Sequence, residues 1–369
     1  MKQTLLNDFN ITRVLVAPLD WGLGHATRCI PIVRALLYQG YEVVLAAEGK
    51  TAALLQKEFP QVSFVELKGY RIRYSQKDDF LMTLARQLPK VLQTMRQEHK
   101  WLMSLAVEEK IDLVISDNRY GLWHPHIPCI FMTHQLQVRT PYRFLNGWVR
   151  WIHYRFIEKF DACWVPDVKA WPGLAASLSH PRWLPNLPVS YIKLLSRFVP
   201  NHLPIKFTCC ALLSGPEPQR TILESMLVEA FSEITDPILL IRGLPEGGPA
   251  LDVPANVTVV DHYTNDLLGY AIQRSEYIVC RSGYTSVMEL LSLRKKMILV
   301  PTPGQTEQEY LALQLMRQEL ALSFPQKGFC LTAALAAAKN HAFATVDLPV
   351  FEEKQLPDLI AQSLQKSLT

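Results

Sequence analysis

No apolar run in the 369 residues approaches the roughly 18 that a membrane-crossing helix requires, so an integral membrane protein is not expected. No two of the seven cysteines (Cys29, Cys129, Cys163, Cys209, Cys210, Cys280 and Cys330) are spaced Cys-x-x-Cys, and the count is odd. Both facts argue against a zinc site and against a disulfide scaffold. Adjacent Cys209 and Cys210 fall inside an apolar run and read as buried thiols acting as small hydrophobes. The opening MKQTLLNDFNITR is polar and carries Asp8 before any apolar stretch. It lacks the order of a secretory signal, which gives a cytoplasmic expectation. No short-period repeat or low-complexity tract is evident.

The length is that of two domains, each able to bury its own core. Hydrophobic residues at 49% and charged residues at 20% are ordinary for a globular fold. The net charge of +4 conceals an asymmetry. Residues 1–200 carry 25 Lys and Arg against 16 Asp and Glu, whereas residues 201–369 carry 13 against 18. A basic first half points to an anionic partner, either a membrane surface or an acidic substrate.

Short β-branched runs alternate with longer helical patterns: RVLVAPL (13–19), YEVVLAA (41–47), VSFVELK (62–68), DLVISD (112–117), PCIFMTH (128–134) and ACWVPD (162–167). The rhythm restarts with FTCCALLSG (207–215), PILLIRG (237–243), VTVVD (257–261), YIVCRSG (277–283) and KMILVPT (296–302). Parallel strands joined by crossover helices give this pattern, so the expected fold class is α/β with two sheets in sequence. Pro185, Pro188, Pro200 and Pro204 interrupt ladders and helices alike and mark the linker. The expected division is 1–195, 196–345 and a closing C-terminal helix in 346–369, where Leu356, Leu359, Ile360 and Leu364 have helical spacing.

Three glycine features end apolar runs. In LDWGLGHATRCIP (19–31), Gly22 and Gly24 precede His25 at a strand-to-helix turn, where main-chain N–H groups and a helix N-terminus meet a ligand. Thr27 stands where a dinucleotide fingerprint has its third glycine, so that fingerprint matches weakly. Ser214 and Gly215 open the second feature. In the third, Arg281, Ser282, Gly283, Tyr284, Thr285 and Ser286 gather hydroxyls and a glycine at a helix start, an arrangement suited to a diphosphate. Glu289 follows within two turns, as a ribose ligand or a solvated helix glutamate, and a further loop spans 301–309.

These stretches together resemble the GT-B fold nucleotide-sugar glycosyltransferases, in particular the lipid-linked N-acetylglucosaminyltransferase of peptidoglycan synthesis and, more distantly, the UDP-glycosyltransferases. The resemblance is strongest over Arg281–Gln308. It implies two Rossmann-like domains facing across a cleft, the first for the acceptor and the second for a UDP-sugar, with N-acetylglucosamine the first expectation. It implies that Ser214 and Ser282–Thr285 contact the diphosphate, that Glu289 holds the ribose, and that Gln305 and Gln308 lie near the sugar. His25 matches the histidine beside the acceptor, the base of an inverting transfer, and Asp117 the carboxylate that orients it. Asp20 is a second candidate for that task. Two departures stand out: the first glycine-rich loop is reduced to Gly-Leu-Gly, and the phosphate loop of the second domain reads SGPEPQR, in which proline removes N–H donors. No Asp-x-Asp motif of a metal-dependent transferase is present, so no metal and no cofactor are expected. A UDP-sugar 2-epimerase of the same fold, or a non-catalytic nucleotide-sugar-binding protein, are the alternatives.

From Arg139 to Phe160, five cations stand against one Glu158, interleaved with Tyr142, Phe144, Trp148, Trp151, Tyr154, Phe156 and Phe160. This composition fits an interfacial contact with anionic lipid and equally a crossover helix packed on the sheet. A peripheral enzyme on the inner membrane face, acting on a lipid-linked acceptor, would suit it. The basic residues follow no nucleic-acid recognition motif, so no nucleic-acid partner is expected.

Overall fold

The computed structural model describes residues 11–70, 80–140, 142–170 and 172–365. Of the stretches read above, residues 1–10 and Pro141 lie outside the described residues, as does the side chain of Arg143. The chain divides into two compact units, one running up to Leu195 and resuming at Val350, the other spanning Ser196–Pro349.

The first unit is built on a seven-stranded sheet: β1 (Arg13–Pro18), β2 (Glu42–Ala47), β3 (Ser63–Glu66), β4 (Leu113–Asp117), β5 (Cys129–Met132), β6 (Ala162–Val165) and β7 (Val189–Tyr191). Their order is β3-β2-β1-β4-β5-β6-β7, and every pairing is parallel. Helices α1 (Leu23–Tyr38), α2 (Gly49–Glu58), α3 (Phe80–Glu108) and α4 (Asn146–Ile157) make the crossovers. Covered on both faces, the central strands read as continuous apolar runs. Along β1 the pleat sends Val14 and Val16 into one core cluster and Leu15 and Ala17 into another.

The second unit repeats the plan with β8 (Phe207–Leu212), β9 (Ile238–Ile241), β10 (Val257–Val260), β11 (Ser275–Cys280), β12 (Lys296–Leu299) and β13 (Ala321–Ser323). Their order is β10-β9-β8-β11-β12-β13, all parallel. Its helices are α5 (Gln219–Phe231), α6 (Asn265–Gln273), α7 (Tyr284–Ser292), α8 (Thr306–Arg317) and α9 (Leu331–Asn340). Cys209 and Cys210 are fully buried in this sheet. The last helix, α10 (Leu356–Gln365), adds Leu356, Ile360 and Leu364 to the core of the first unit, and Ser363 Oγ accepts from Trp164 Nε1 at 2.9 Å.

In an open parallel sheet, ligands collect beyond the carboxyl ends of the strands where the strand order reverses. That place lies between β1 and β4 in the first unit and between β8 and β11 in the second. His25 follows β1 and Asp117 ends β4; Ser214 follows β8 and Ser282 follows β11.

Candidate active site

Parallel pairing of Pro18 with Asp117 brings the ends of β1 and β4 side by side. The chain then turns at Gly22, the N-cap of α1, with φ 110° and ψ 164°. Only glycine occupies that region readily. A Cβ there would meet nothing within 4 Å, so Gly22→Ala isolates the backbone effect: we expect about 1–3 kcal/mol of destabilisation, read from urea unfolding, where an unchanged midpoint would refute the strain. Gly24 and His25 form the first turn of α1, with the Thr27 hydroxyl donating to the Gly24 carbonyl at 3.1 Å.

His25 Nδ1 lies 2.9 Å from Asp117 Oδ2, with the histidine partly exposed and the carboxylate fully buried. Asp20 instead accepts from the Tyr70 N–H at 3.1 Å. Arg28, one helical turn beyond His25 and 2% exposed, completes the cluster. Its Nε donates to both Asp117 oxygens at 3.0 Å, and its Nη2 reaches Oδ1 as well. Its Nη1 lies 2.6 Å from Nδ1 of His134, and Nη2 lies 2.9 Å from His25 Nδ1. Cys29 Sγ is 3.8 Å from Asp117 Oδ2.

Burial by itself would raise the Asp117 carboxyl, but Arg28 and His25 together outweigh it and hold the group below the usual carboxylate value. His25 is shifted down, by burial first and then by the Arg28 cation, with Asp117 pulling the other way. An ionised carboxylate only accepts, so Nδ1 facing it carries the proton and Nε2 keeps the lone pair. The Arg28 Nη2 contact with Nδ1 is then a meeting of two donors, which opposes a positive imidazole rather than forming a second hydrogen bond. The arrangement favours a neutral imidazole with the lone pair on Nε2, at the carboxyl end of the sheet.

In the second unit, Ser214 and Gly215 lie exposed in the loop after β8. Gly283 is the N-cap of α7 and has no side-chain cap; the first N–H groups of a helix have no partner within it and favour an anion. Thr285 is partly exposed there, whereas Tyr284 is buried. Ser282 Oγ donates to the Gln308 carbonyl at 2.8 Å. Gln308 Oε1 accepts from the Thr302 N–H at 3.0 Å, and its amide donates to Gln305 Oε1. The fold thus gathers Ser282, Gln305 and Gln308 into one cluster.

Three side chains differ from their expected use. The Arg281 guanidinium is buried and donates to the carbonyls of Val300 and Gln219 and to Gln326 Oε1; it braces loops instead of presenting its charge. The Ser282 hydroxyl is likewise used internally, which leaves its backbone as the part able to meet a ligand. Glu289 is neither solvated nor open: it is 5% exposed and its Oε1 lies 2.8 Å from Arg197 Nε. Burial shifts its carboxyl upward, with Arg197 opposing, so a ribose hydroxyl would have to displace that ion pair.

The sequence reading missed Arg28 and His134. The three-residue step from His25 on one helix pointed to the first, and the position at the end of the PCIFMTH run, beside β4, pointed to the second. A different cluster, Asp167, Ser179 and His180, has the residue types of a hydrolytic triad but the wrong wiring. Ser179 Oγ lies between the other two, 2.6 Å from Asp167 Oδ2 and 2.9 Å from His180 Nδ1. The carboxylate therefore holds the serine where a triad has it hold the histidine.

Residues 255–342 match the glycosyltransferase family 28 C-terminal domain. The chain is similar to an uncharacterized glycosyltransferase of Methanosarcina mazei, 25% identical over 336 residues, with 80% of this chain and 81% of the relative covered. Among solved structures it is similar to the spinosyn rhamnosyltransferase SpnG complexed with thymidine diphosphate, with a TM-score of 0.63, 14% identity, and 95% and 100% of the two chains covered. It is also similar to the glycosyltransferase VinC in complex with dTDP, with a TM-score of 0.56, 15% identity, and 97% and 100% covered. The doubled Rossmann-like sheets and these likenesses lead to one conclusion: the chain is a glycosyltransferase of the GT-B fold.

Proposed function

We propose that this enzyme transfers a sugar from a nucleoside-diphosphate donor to an acceptor hydroxyl, with inversion and without a metal, and that His25 is the base. The observation that carries the reading is the His25–Asp117 hydrogen bond of 2.9 Å at the reversal point of the first sheet. The acceptor oxygen attacks the anomeric carbon as its proton passes to His25 Nε2, and the bond from that carbon to the diphosphate oxygen breaks. Attack opposite the leaving group inverts the centre. The diphosphate takes the bonding pair and is held by main-chain N–H groups at Gly283–Thr285 and by the Ser214–Gly215 loop. In this reading the first unit takes the acceptor and the second the donor. A nucleoside diphosphate is supported by the thymidine diphosphate complex of SpnG and the dTDP complex of VinC; UDP-N-acetylglucosamine remains the first donor to try.

The test is a thermal-shift screen of UDP- and dTDP-sugars followed by product analysis with EDTA present. A donor that binds the native state raises the melting temperature. Transfer only when acceptor is added supports the reading. Conversion of the sugar nucleotide alone would replace it with the 2-epimerase, and donor binding without turnover over a broad acceptor panel would favour a binding protein.

The acceptor is proposed to be lipid-linked, met at a membrane surface through α4. On this helix His153, Tyr154 and Ile157 are buried, whereas Trp148 is 69% and the preceding Phe144 79% exposed. The Arg150 and Arg182 guanidinium groups lie 5.2 and 4.4 Å from the Trp183 ring centre, so cations and exposed rings share one surface. Among the described residues no helix is long and apolar enough to cross a membrane. We expect co-sedimentation with anionic vesicles at low salt, release at high salt, and loss of most binding in a Trp148→Ser, Trp151→Ser double variant. No sedimentation at low salt would remove the membrane part of the reading.

A further inference from the structure

We propose that Arg28 is the positioning residue of the His25–Asp117 pair: it clamps the buried carboxylate that His25 also meets, and anchors the clamp on His134. This inference rests on the reading of His25 as the base and adds how the base is kept in working form.

The geometry assigns the arms of the guanidinium separately. Nε spans both Asp117 oxygens at 3.0 Å, Nη2 adds a contact to Oδ1, and Nη1 meets His134 Nδ1 at 2.6 Å. A planar fork fits this arrangement; a lysine ammonium, a point charge on a flexible stem, reaches only part of it. Asp117 is fully buried, and a buried carboxyl without a cation beside it tends to take up a proton. A protonated Asp117 would no longer be bound to accept from Nδ1, and the tautomer of His25 would be lost. Arg28 thus keeps the carboxylate charged, and the carboxylate keeps the Nε2 lone pair free.

The groups facing His25 are Arg28 on its own helix, Asp117 from β4, and His134 beyond β5; Cys29 lies against Asp117. Of these Arg28 is the permanent cation. Removing it leaves the pull of Asp117 on a proton unopposed, so the His25–Asp117 pair should protonate at higher pH.

The experiment is a histidine-detected NMR titration of the full chain, with the His25 signals assigned by their absence in His25→Gln. In Arg28→Met the pair should protonate about one to three pH units higher than in the wild type; in Arg28→Lys, which keeps the charge, it should stay near the wild-type value. A titration that Arg28→Met leaves in place overturns the proposal. Should that variant not fold, the wild-type spectrum decides: a proton on Nδ1 supports the clamp, whereas a proton on Nε2 would mean that Arg28 donates to the imidazole, and the clamp is wrong. Neither readout depends on turnover, so the proposal fails separately from the assignment of His25 as base, which turnover of a His25 variant tests.

Discussion

His25→Ala should lower kcat by about a hundred- to ten-thousand-fold, the usual contribution of a positioned general base, while leaving donor affinity near its wild-type value. The split follows from where the groups lie. The candidate donor contacts at Ser214–Gly215 and Ser282–Thr285 belong to the second unit, and His25 to the first. Titration calorimetry with the nucleoside diphosphate reads the affinity, and initial rates of nucleotide release read the turnover. Wild-type turnover in His25→Ala would remove it as the base; a parallel loss of nucleotide affinity would recast it as a binding residue. The wild-type rate should also hold to below the ordinary histidine value, because burial and Arg28 shift protonation of the imidazole to lower pH. An acidic limb above the ordinary histidine value would contradict that electrostatic account.

Asp117→Asn is expected to cost about 3–5 kcal/mol of stability, the scale for breaking a buried ion pair by removing one partner. The substitution keeps the shape but takes away the anion on which the Arg28 contacts converge. Urea denaturation at neutral pH reads the loss, and a change below 1 kcal/mol would mean that the carboxylate carries little of the local energy. The pH dependence has a definite sign. The native carboxyl sits below its unfolded value, so the unfolded chain binds more protons between the two values. The contribution is fully present above the ordinary carboxylate value and is lost as pH falls through the native one. The gap between wild type and Asp117→Asn should therefore narrow in acid.

Among the described residues, eleven of the thirteen strands were legible, most of them because a parallel strand buried on both faces reads as a near-continuous apolar run. The two that escaped, β7 (Val189–Tyr191) and β13 (Ala321–Ser323), are three residues long. The first lies inside the proline-rich stretch read as linker, and the second carries no run of its own. His25 was legible for a topological reason: it follows the first strand, and first strands of this plan border the reversal point. Asp117 ends the strand that pairs with it. The electrostatics were not legible. What Arg28 does depends on the fold bringing it onto a carboxylate 89 residues away, and neither reading of Glu289, ribose ligand or solvated glutamate, anticipated its ion pair, because nothing near it in sequence announces Arg197. Of the basic aromatic stretch, the fold shows the packed side, where α4 buries His153, Tyr154 and Ile157, while Trp148 and Trp151 stand exposed.

The return of the chain to its first unit at Val350 bears on how the protein is made. Synthesis runs from the N-terminus, and the stretch between Ser196 and Pro349 leaves the ribosome as one uninterrupted piece. The earlier half must wait. Its apolar face around Leu36, Ile115 and Trp164 is closed when Leu356, Ile360 and Leu364 arrive, after the whole of the second unit has been made. The unit that is translated earlier is thus finished later, and a stop between Pro349 and Leu356 would leave the first unit's core open.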